Sequence, residues 1–485
     1  MTSATVVGPP DLGPGTLADG DAAIEQALHP PSFTTDPYPV YARLRDEAPV
    51  YWSPYFGQWL VARGELVVEV ARQWEIFSSV GWDSFFMSQL PEDLRPEIPT
   101  VIDHFRTVNI STTDPPVHTR LRRLLSKAFT PRRIATLEGR VRAVTGRLLD
   151  DVCEGGGDGG PGEPAGDNWA GRNSDGRQRD SRNGESRHGD GRQGDSRHGD
   201  GHPGQGAAGQ VSFDLIAGLA YPLPVAMIGE LYGVGESDHA DLKRWSKAVV
   251  AYTGSSVAHP HLARELDTAL AEFRAYLRGL VAERRQRPRD DLLSDLVAAV
   301  DEGERLAEDE LMATSINLLF AGHETTTNLI GNGTLALLRH PDQLDLLRRR
   351  PELLPGAVEE LLRYDSPVQR VRRITTCDIN IGGREIPKGT PVTAFLGSAN
   401  RDPADWDRPD ELDVTRPDVF PMSFGGGPHY CIGAALARLE GRIAFEMLLE
   451  RFAELTLADG FENRWHPNVA FRGLVELPLR GVLAG

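Results

Sequence analysis

Cys431 stands in the run Phe424-Gly425-Gly426-Gly427-Pro428-His429-Tyr430-Cys431-Ile432-Gly433. Three consecutive glycines permit backbone angles that side chains forbid, so the loop can fold tightly against a flat partner. From Ile432 to about Arg451, Leu436, Leu439, Ile443, Met447 and Leu448 recur at helical spacing. The thiol is thereby predicted at a helix start, where unpaired N–H groups and the dipole favour a thiolate. A soft thiolate in an apolar loop suits iron. Ala321-Gly322-His323-Glu324-Thr325-Thr326 is the strongly polar patch of a nearly all-apolar stretch from about Asp309 to Leu338. Polar groups there are costly unless they hold water or a ligand, and a carboxylate beside a hydroxyl can move a proton. His118 and Arg122, and Glu360 and Arg363, stand at spacings that share a helical face. Each group alone also has a plain structural reading: a buried thiol, satisfied core polars, a solvated basic face, a surface ion pair.

The elements that must carry these groups follow from periodicity and punctuation. A short helix is expected over Pro37 to Glu47, then strands at Pro49–Trp52 and Gln58–Ala62. Residues 80–110 show no clean period, which in a compact domain marks a functional stretch. Asp114-Pro115-Pro116 opens the basic helix of His118 and Arg122. Apolar-periodic helices are expected over Leu215–Leu231, Asp238–Tyr252, His261–Arg285 and Asp290–Val300. The all-apolar stretch after them should run through the middle of a large core, bent near Gly322. A helix from about Pro355 carries Glu360 and Arg363. Strands follow at Asp378–Gly383 and Pro391–Phe395, and a final hairpin over Asn468–Leu477.

Composition narrows the classes. The chain of 485 residues has 70 acidic and 52 basic residues, a formal charge of −18, which argues against nucleic-acid binding. Its three cysteines, Cys153, Cys377 and Cys431, form no CxxC pair, so neither a disulfide framework nor a cysteine-rich zinc site is implied, and a reducing cytoplasm fits. The N-terminal residues to about 20 lack a basic start and an apolar core, so no signal peptide is expected. Asn317, His323 and Glu324 break the most apolar helix, which is not a membrane span. Residues 1–30 read as a flexible lead-in to a domain over 31–485. Residues 155–209 read as a low-complexity, disordered insert: they hold eighteen glycines and no Val, Ile, Leu, Phe or Met. Ser186-Arg-His-Gly-Asp190 recurs there as Ser196-Arg-His-Gly-Asp200, and no spacing among His188, His198 and His202 fixes a metal geometry.

Phe-Gly-x-Gly-x-His-x-Cys-x-Gly resembles the haem-binding signature of bacterial cytochrome P450 enzymes, and the other motifs agree with it in order. The resemblance covers about residues 33–480 apart from the insert. It implies the cytochrome P450 fold, mainly α with a smaller β-rich part. It implies haem b with Cys431 as iron ligand in a loop shaped by Phe424 and Gly433, and His118, Arg122, Arg373 and His429 on the propionates. Glu324 and Thr325 would stand on the distal side as oxygen-activating residues, with His323 lining or structural. Glu360, Arg363 and Arg416 would form a buried structural triad. The activity implied is monooxygenation of a small-molecule substrate by dioxygen, as hydroxylation or epoxidation, in the cytoplasm. Electrons would come from a ferredoxin and ferredoxin reductase, since the chain carries no flavin or iron–sulfur signature. Arg120, Arg123, Lys127, Arg132, Arg133 and Arg442 offer a basic docking face. Oxidative coupling or desaturation would use the same motifs. A haem sensor would share Cys431 without needing Glu324 and Thr325.

Overall fold

The computed structural model describes residues 19–155, 209–255, 257–301 and 306–485. Most of the described chain is helical, with three small sheets. The expected lead-in is corrected at its inner end: Asp19–Ala27 is a helix, and Ile24 and Leu28 are buried with Phe33, Tyr41 and Phe56. These two apolar residues give the segment a face to bury, so packing begins before residue 31. Residues 1–18 and 156–208, with most of the expected insert and His188, His198 and His202, lie outside the described residues. The insert is flanked by the helix Glu138–Gly155 and the strand Gln210–Asp214.

A helix of 32 residues, Glu308–Arg339, runs through the core and is continuous across the polar patch. Glu308, Asp309 and Glu310 in its first turn suit the positive end of the helix dipole. At Gly322 a Cβ would lie 2.8 Å from Ile228 Cγ1. The missing side chain lets the helix Pro222–Tyr232 cross closely, which repays the conformational cost of a mid-helix glycine. The helix Ala434–Arg451, which follows Cys431, packs on the central helix from another side.

Residues 80–110 are helical, contrary to the aperiodic reading: Trp82–Ser88, Glu92–Glu97 and Pro99–Arg106. Pro91, Pro96 and Pro99 cut the stretch before a period can repeat, although Phe85, Phe86, Leu94 and Val101 all join the main core.

The largest sheet orders its strands Val50–Ser53, Gln58–Val61, Pro391–Phe395, Arg370–Thr375, Phe77–Ser78. Only Gln58–Val61 with Pro391–Phe395 is parallel. In Arg370–Thr375 the pleat sends Val371 and Arg373 to one face and Arg370 and Arg372 to the other. On that second face Arg370 Nη2 donates to Ser255 O at 2.8 Å and Arg372 Nη2 to Thr253 O at 2.7 Å, at the end of the helix His239–Gly254. Ile379–Ile381 and Arg384–Ile386 form a hairpin turned by Gly382 and Gly383, both at positive φ. The chain end forms the sheet Gln210–Asp214, Pro478–Leu483, Phe452–Leu457. The hairpin expected over Asn468–Leu477 is instead an irregular loop held by isolated bridges, Val368 to Phe471 and Trp465 to Leu474. Asn468 Oδ1 accepts from the N–H groups of Ala470 and Phe471, and this local turn diverts the backbone from a ladder. Among the described residues no helix is long and apolar enough to cross a membrane.

Candidate active site

Gly425 and Gly427 hold φ values of 70° and 61°. A Cβ on Gly427 would lie 3.0 Å from Arg72 Cα and 3.2 Å from Ala71 O, so the loop presses backbone to backbone on the helix Gly64–Arg72. Cys431 N–H closes the loop on Phe424 O at 2.9 Å. Cys431 lines a cavity of about 340 Å³ and is exposed to it. Burial pushes the thiol up; the N–H groups of Gly433 and Ala434 and the charges of Arg122 and Arg438 oppose this without cancelling it. A cation at the sulfur would reverse that balance, because a coordinating thiol is deprotonated.

Ala321, Gly322, Thr325 and Thr326 form the central helix's wall of the cavity, and Phe424, His429 and Gly433 line it beside the sulfur. Phe129, Ile228, Leu318, Val368, Val371 and Phe471 make most of the rest apolar. The Thr325 hydroxyl donates to Ala321 O at 3.1 Å. Glu324 is not part of this lining, and neither is His323. Successive helical residues turn by about 100°, so the acid next to Thr325 faces another way. Burial alone would raise the Glu324 carboxyl, but His323, His466 and Lys243 outweigh it and hold the group below the usual carboxylate range. Of the two readings of His323, lining or structural, the cavity lining leaves the second: it is fully buried behind the wall. Sequence reasoning also missed Glu440, which is 1% exposed. It stands by Thr326, and burial pushes its carboxyl well up.

Around His429 a second group gathers. The His118 and His429 rings lie 4.3 Å apart, and Ser79 Oγ is 3.0 Å from His429 Nε2. Asp114 Oδ1 is 3.5 Å from the same nitrogen, and Asp114 also accepts from Ser78 Oγ and from Ser79 N–H. Burial, then the charges of His429 and Arg122, bring His118 down to about 4. Arg122 Nη1 donates to Pro428 O at 3.0 Å. Arg373 is buried; burial lowers it to about 10, with Asp114 opposing. Its Nε has no hydrogen-bond partner among the described residues.

Glu360 and Arg363 are both fully buried and paired twice, Nε to Oε2 at 2.6 Å and Nη2 to Oε1 at 2.8 Å. Arg416 Nε adds a third contact to Glu360 at 3.2 Å. Arg363 also donates to the carbonyls of Asn400, Pro409 and Glu411, so this group ties the helix Leu354–Tyr364 to the chain leading into the cysteine loop.

The family model for Cytochrome P450 matches residues 247–468. Over 456 residues the chain is 37% identical to Cytochrome P450 107B1 of Saccharopolyspora erythraea, spanning 93% of this chain and 96% of that one. Over 464 residues it is 35% identical to 6-deoxyerythronolide B hydroxylase of the same organism, spanning 93% and 98%. Among solved structures, CYP109E1 from Bacillus megaterium in complex with testosterone matches with a TM-score of 0.73 at 30% identity, over 92% of this chain and 98% of that one. The chain belongs to the cytochrome P450 family. It is an oxidoreductase of the monooxygenase type, and its fold is that of the cytochrome P450 structures. The family's cofactor is a haem held by a thiolate, and the residues present fit such a group. A thiol opens onto the cavity, and the buried Arg373 keeps an unused donor beside Arg122, His118 and His429, a set suited to carboxylates.

Proposed function

We propose that this P450 inserts one atom of dioxygen into an apolar, uncharged part of a small organic molecule, by hydroxylation or epoxidation, with Cys431 as the iron ligand. One observation carries the reading: a single, mostly apolar cavity is lined by both Cys431 and Thr325. When bound, the haem supplies the oxygen-activating redox chemistry, to which a thiolate ligand contributes electron density. The chain's own residues do the rest. Arg373, Arg122, His118 and His429 hold the propionates, and Phe424 and Gly433 shape the loop. The apolar lining orients substrate and limits water. Thr325 presents a hydroxyl that can leave Ala321 O to hold a proton or water in the cavity, and Glu324 supplies that proton from behind the wall. The 6-deoxyerythronolide B hydroxylase among the relatives and testosterone in the matched structure are consistent with an apolar secondary metabolite as substrate.

A separate ferredoxin, with its reductase, is the proposed electron source. Three of the six basic residues of the expected docking face are already engaged. Arg120 pairs with Glu310 at 2.5 Å, Arg133 stands 3.7 Å from Asp290, and Arg442 pairs with Glu138 at 3.0 Å. Arg123, Lys127 and Arg132 are exposed and make no ion pair among the described residues, so they carry the proposed docking.

Two variants test the reading. Cys431→His should abolish the strongly red-shifted band of the reduced carbon monoxide complex, whereas Cys153→Ser and Cys377→Ser should keep it. Thr325→Ala should retain haem and substrate binding but divert electrons to peroxide. Wild-type product per electron in Thr325→Ala would remove the oxygen-activation role.

A further inference from the structure

The polar patch has a side turned away from the cavity, and a histidine that the proposed function leaves unused. His323 is fully buried. Its Nδ1 lies 2.7 Å from Leu319 O, and a carbonyl only accepts, so Nδ1 carries a proton. Any second proton must then sit on Nε2. That nitrogen is 3.7 Å from Glu324 Oε1 and has no hydrogen-bond partner among the described residues.

Polar side chains stand between His323 and the exposed Lys243. The Tyr221 ring meets His323 edge-on at 5.6 Å, and its hydroxyl is likewise buried without a partner. Tyr221 feels the Glu324 charge, so acid, imidazole and phenol share one spot. Lys243, exposed on the helix His239–Gly254, sits over the Tyr221 ring at 4.4 Å. The His323 charge acts on His239, and that of His466, in the C-terminal loop, acts on Glu324. Buried polar atoms of this kind are normally met by water.

We propose that His323 is the proton donor to Glu324, so that protons reach the cavity through its Nε2 and not directly from solvent. In the step, the Nε2–H bond of the imidazolium breaks and an O–H bond forms on Glu324 Oε1. A neutral imidazole with its proton on Nδ1 and a neutral carboxylic acid result. Glu324 passes the proton toward the Thr325 hydroxyl, and His323 regains one at Nε2 from solvent beside Tyr221 and Lys243. The inference rests on the role proposed for Glu324 and Thr325.

The reduced carbon monoxide complex is diamagnetic and allows a test without turnover. In ¹⁵N-histidine spectra of that complex, His323 should carry a proton on Nδ1, as the neutral Nδ1–H form or the imidazolium. A neutral form protonated only on Nε2 overturns the proposal. In turnover, His323→Gln keeps a donor for Leu319 O but cannot release a proton. Product formation should fall about a hundredfold, the low end for loss of one positioned general acid. Peroxide and the solvent isotope effect should rise. Tyr221→Phe, which leaves the central helix untouched, should raise the isotope effect in the same direction. If Thr325→Ala uncouples but His323→Gln and Tyr221→Phe do not, the relay stands and His323 is not its donor; a larger loss in His466→Gln than in His323→Gln assigns the route to His466 instead. If Thr325→Ala does not uncouple either, the underlying reading of the patch fails.

Discussion

Replacing Glu360 by Gln removes one charge from a site where nothing else can compensate. Arg363 and Glu360 are both fully buried, and Glu360 accepts from Arg363 Nε and Nη2, from Arg416 Nε at 3.2 Å and from Asp413 N–H at 3.0 Å. A glutamine offers one accepting oxygen, and its NH₂ points a donor at donors. At least one guanidinium N–H is left unpaired, and the Arg363 charge is left buried. Breaking such a pair costs about 3–5 kcal/mol. For a chain of this length the unfolding entropy is roughly 1 kcal/mol/K, so the midpoint should drop by about 3–5 °C. Thermal unfolding at fixed haem content measures it, with Glu47→Gln as control, because the Arg43–Glu47 pair is exposed and should leave the midpoint unchanged. Glu360→Leu with Arg363→Met should not restore stability, since the carbonyls of Asn400, Pro409 and Glu411 then lose their donors. Equal effects of Glu360→Gln and Glu47→Gln would refute the reasoning.

Burial lowers His104 from its ordinary value to about 4, with Arg274 adding to the shift. Between about 6.5 and 4 the unfolded chain takes a proton that the folded chain refuses, so stability is complete above that window and falls with pH through it. The wild type should lose about 2 kcal/mol there that His104→Gln does not, read as the difference in unfolding free energy at pH 7 and pH 4.5. Reversing charge at Arg123 and Lys127 should weaken ferredoxin binding and flatten the salt dependence of reduction, because exposed charges are screened over about 10 Å at 0.1 M salt. Salt-independent reduction in the wild type would place the electron donor elsewhere. Arg373→Leu should raise the haem dissociation rate with little change in the carbon monoxide band, as expected of a group that holds the cofactor's edge and not its iron.

Cys431, Thr325 and the Glu360–Arg363 pair were legible because each belongs to a short motif whose spacing encodes one loop or one helical face. That Thr325 lines the cavity and Glu324 does not was not legible in the motif, though helix geometry supplies the reason. Ala321, Gly322, Thr325 and Thr326 fall on one face, and His323 and Glu324 on the next. The helices between Trp82 and Arg106 were hidden by prolines that leave no repeat to detect. The basic docking face shrank because the partners of Arg120, Arg133 and Arg442 come from distant elements, which no local pattern reveals. Asp114 was visible only as the start of a turn; its contacts with Ser78, Ser79 and His429 depend on the assembled fold.

The strand Arg370–Thr375 assigns its two faces to different tasks, Val371 and Arg373 toward the cavity side, Arg370 and Arg372 toward Thr253 O and Ser255 O. With a repeat of two, inserting or deleting a single residue there would exchange the faces and turn Arg372 toward the place of Arg373. The length of this segment is therefore frozen while its composition is not. Diversification of substrate choice along it has to proceed by substitution, and a library that randomises Val371 at constant length samples new pockets without disturbing the arginines on either side.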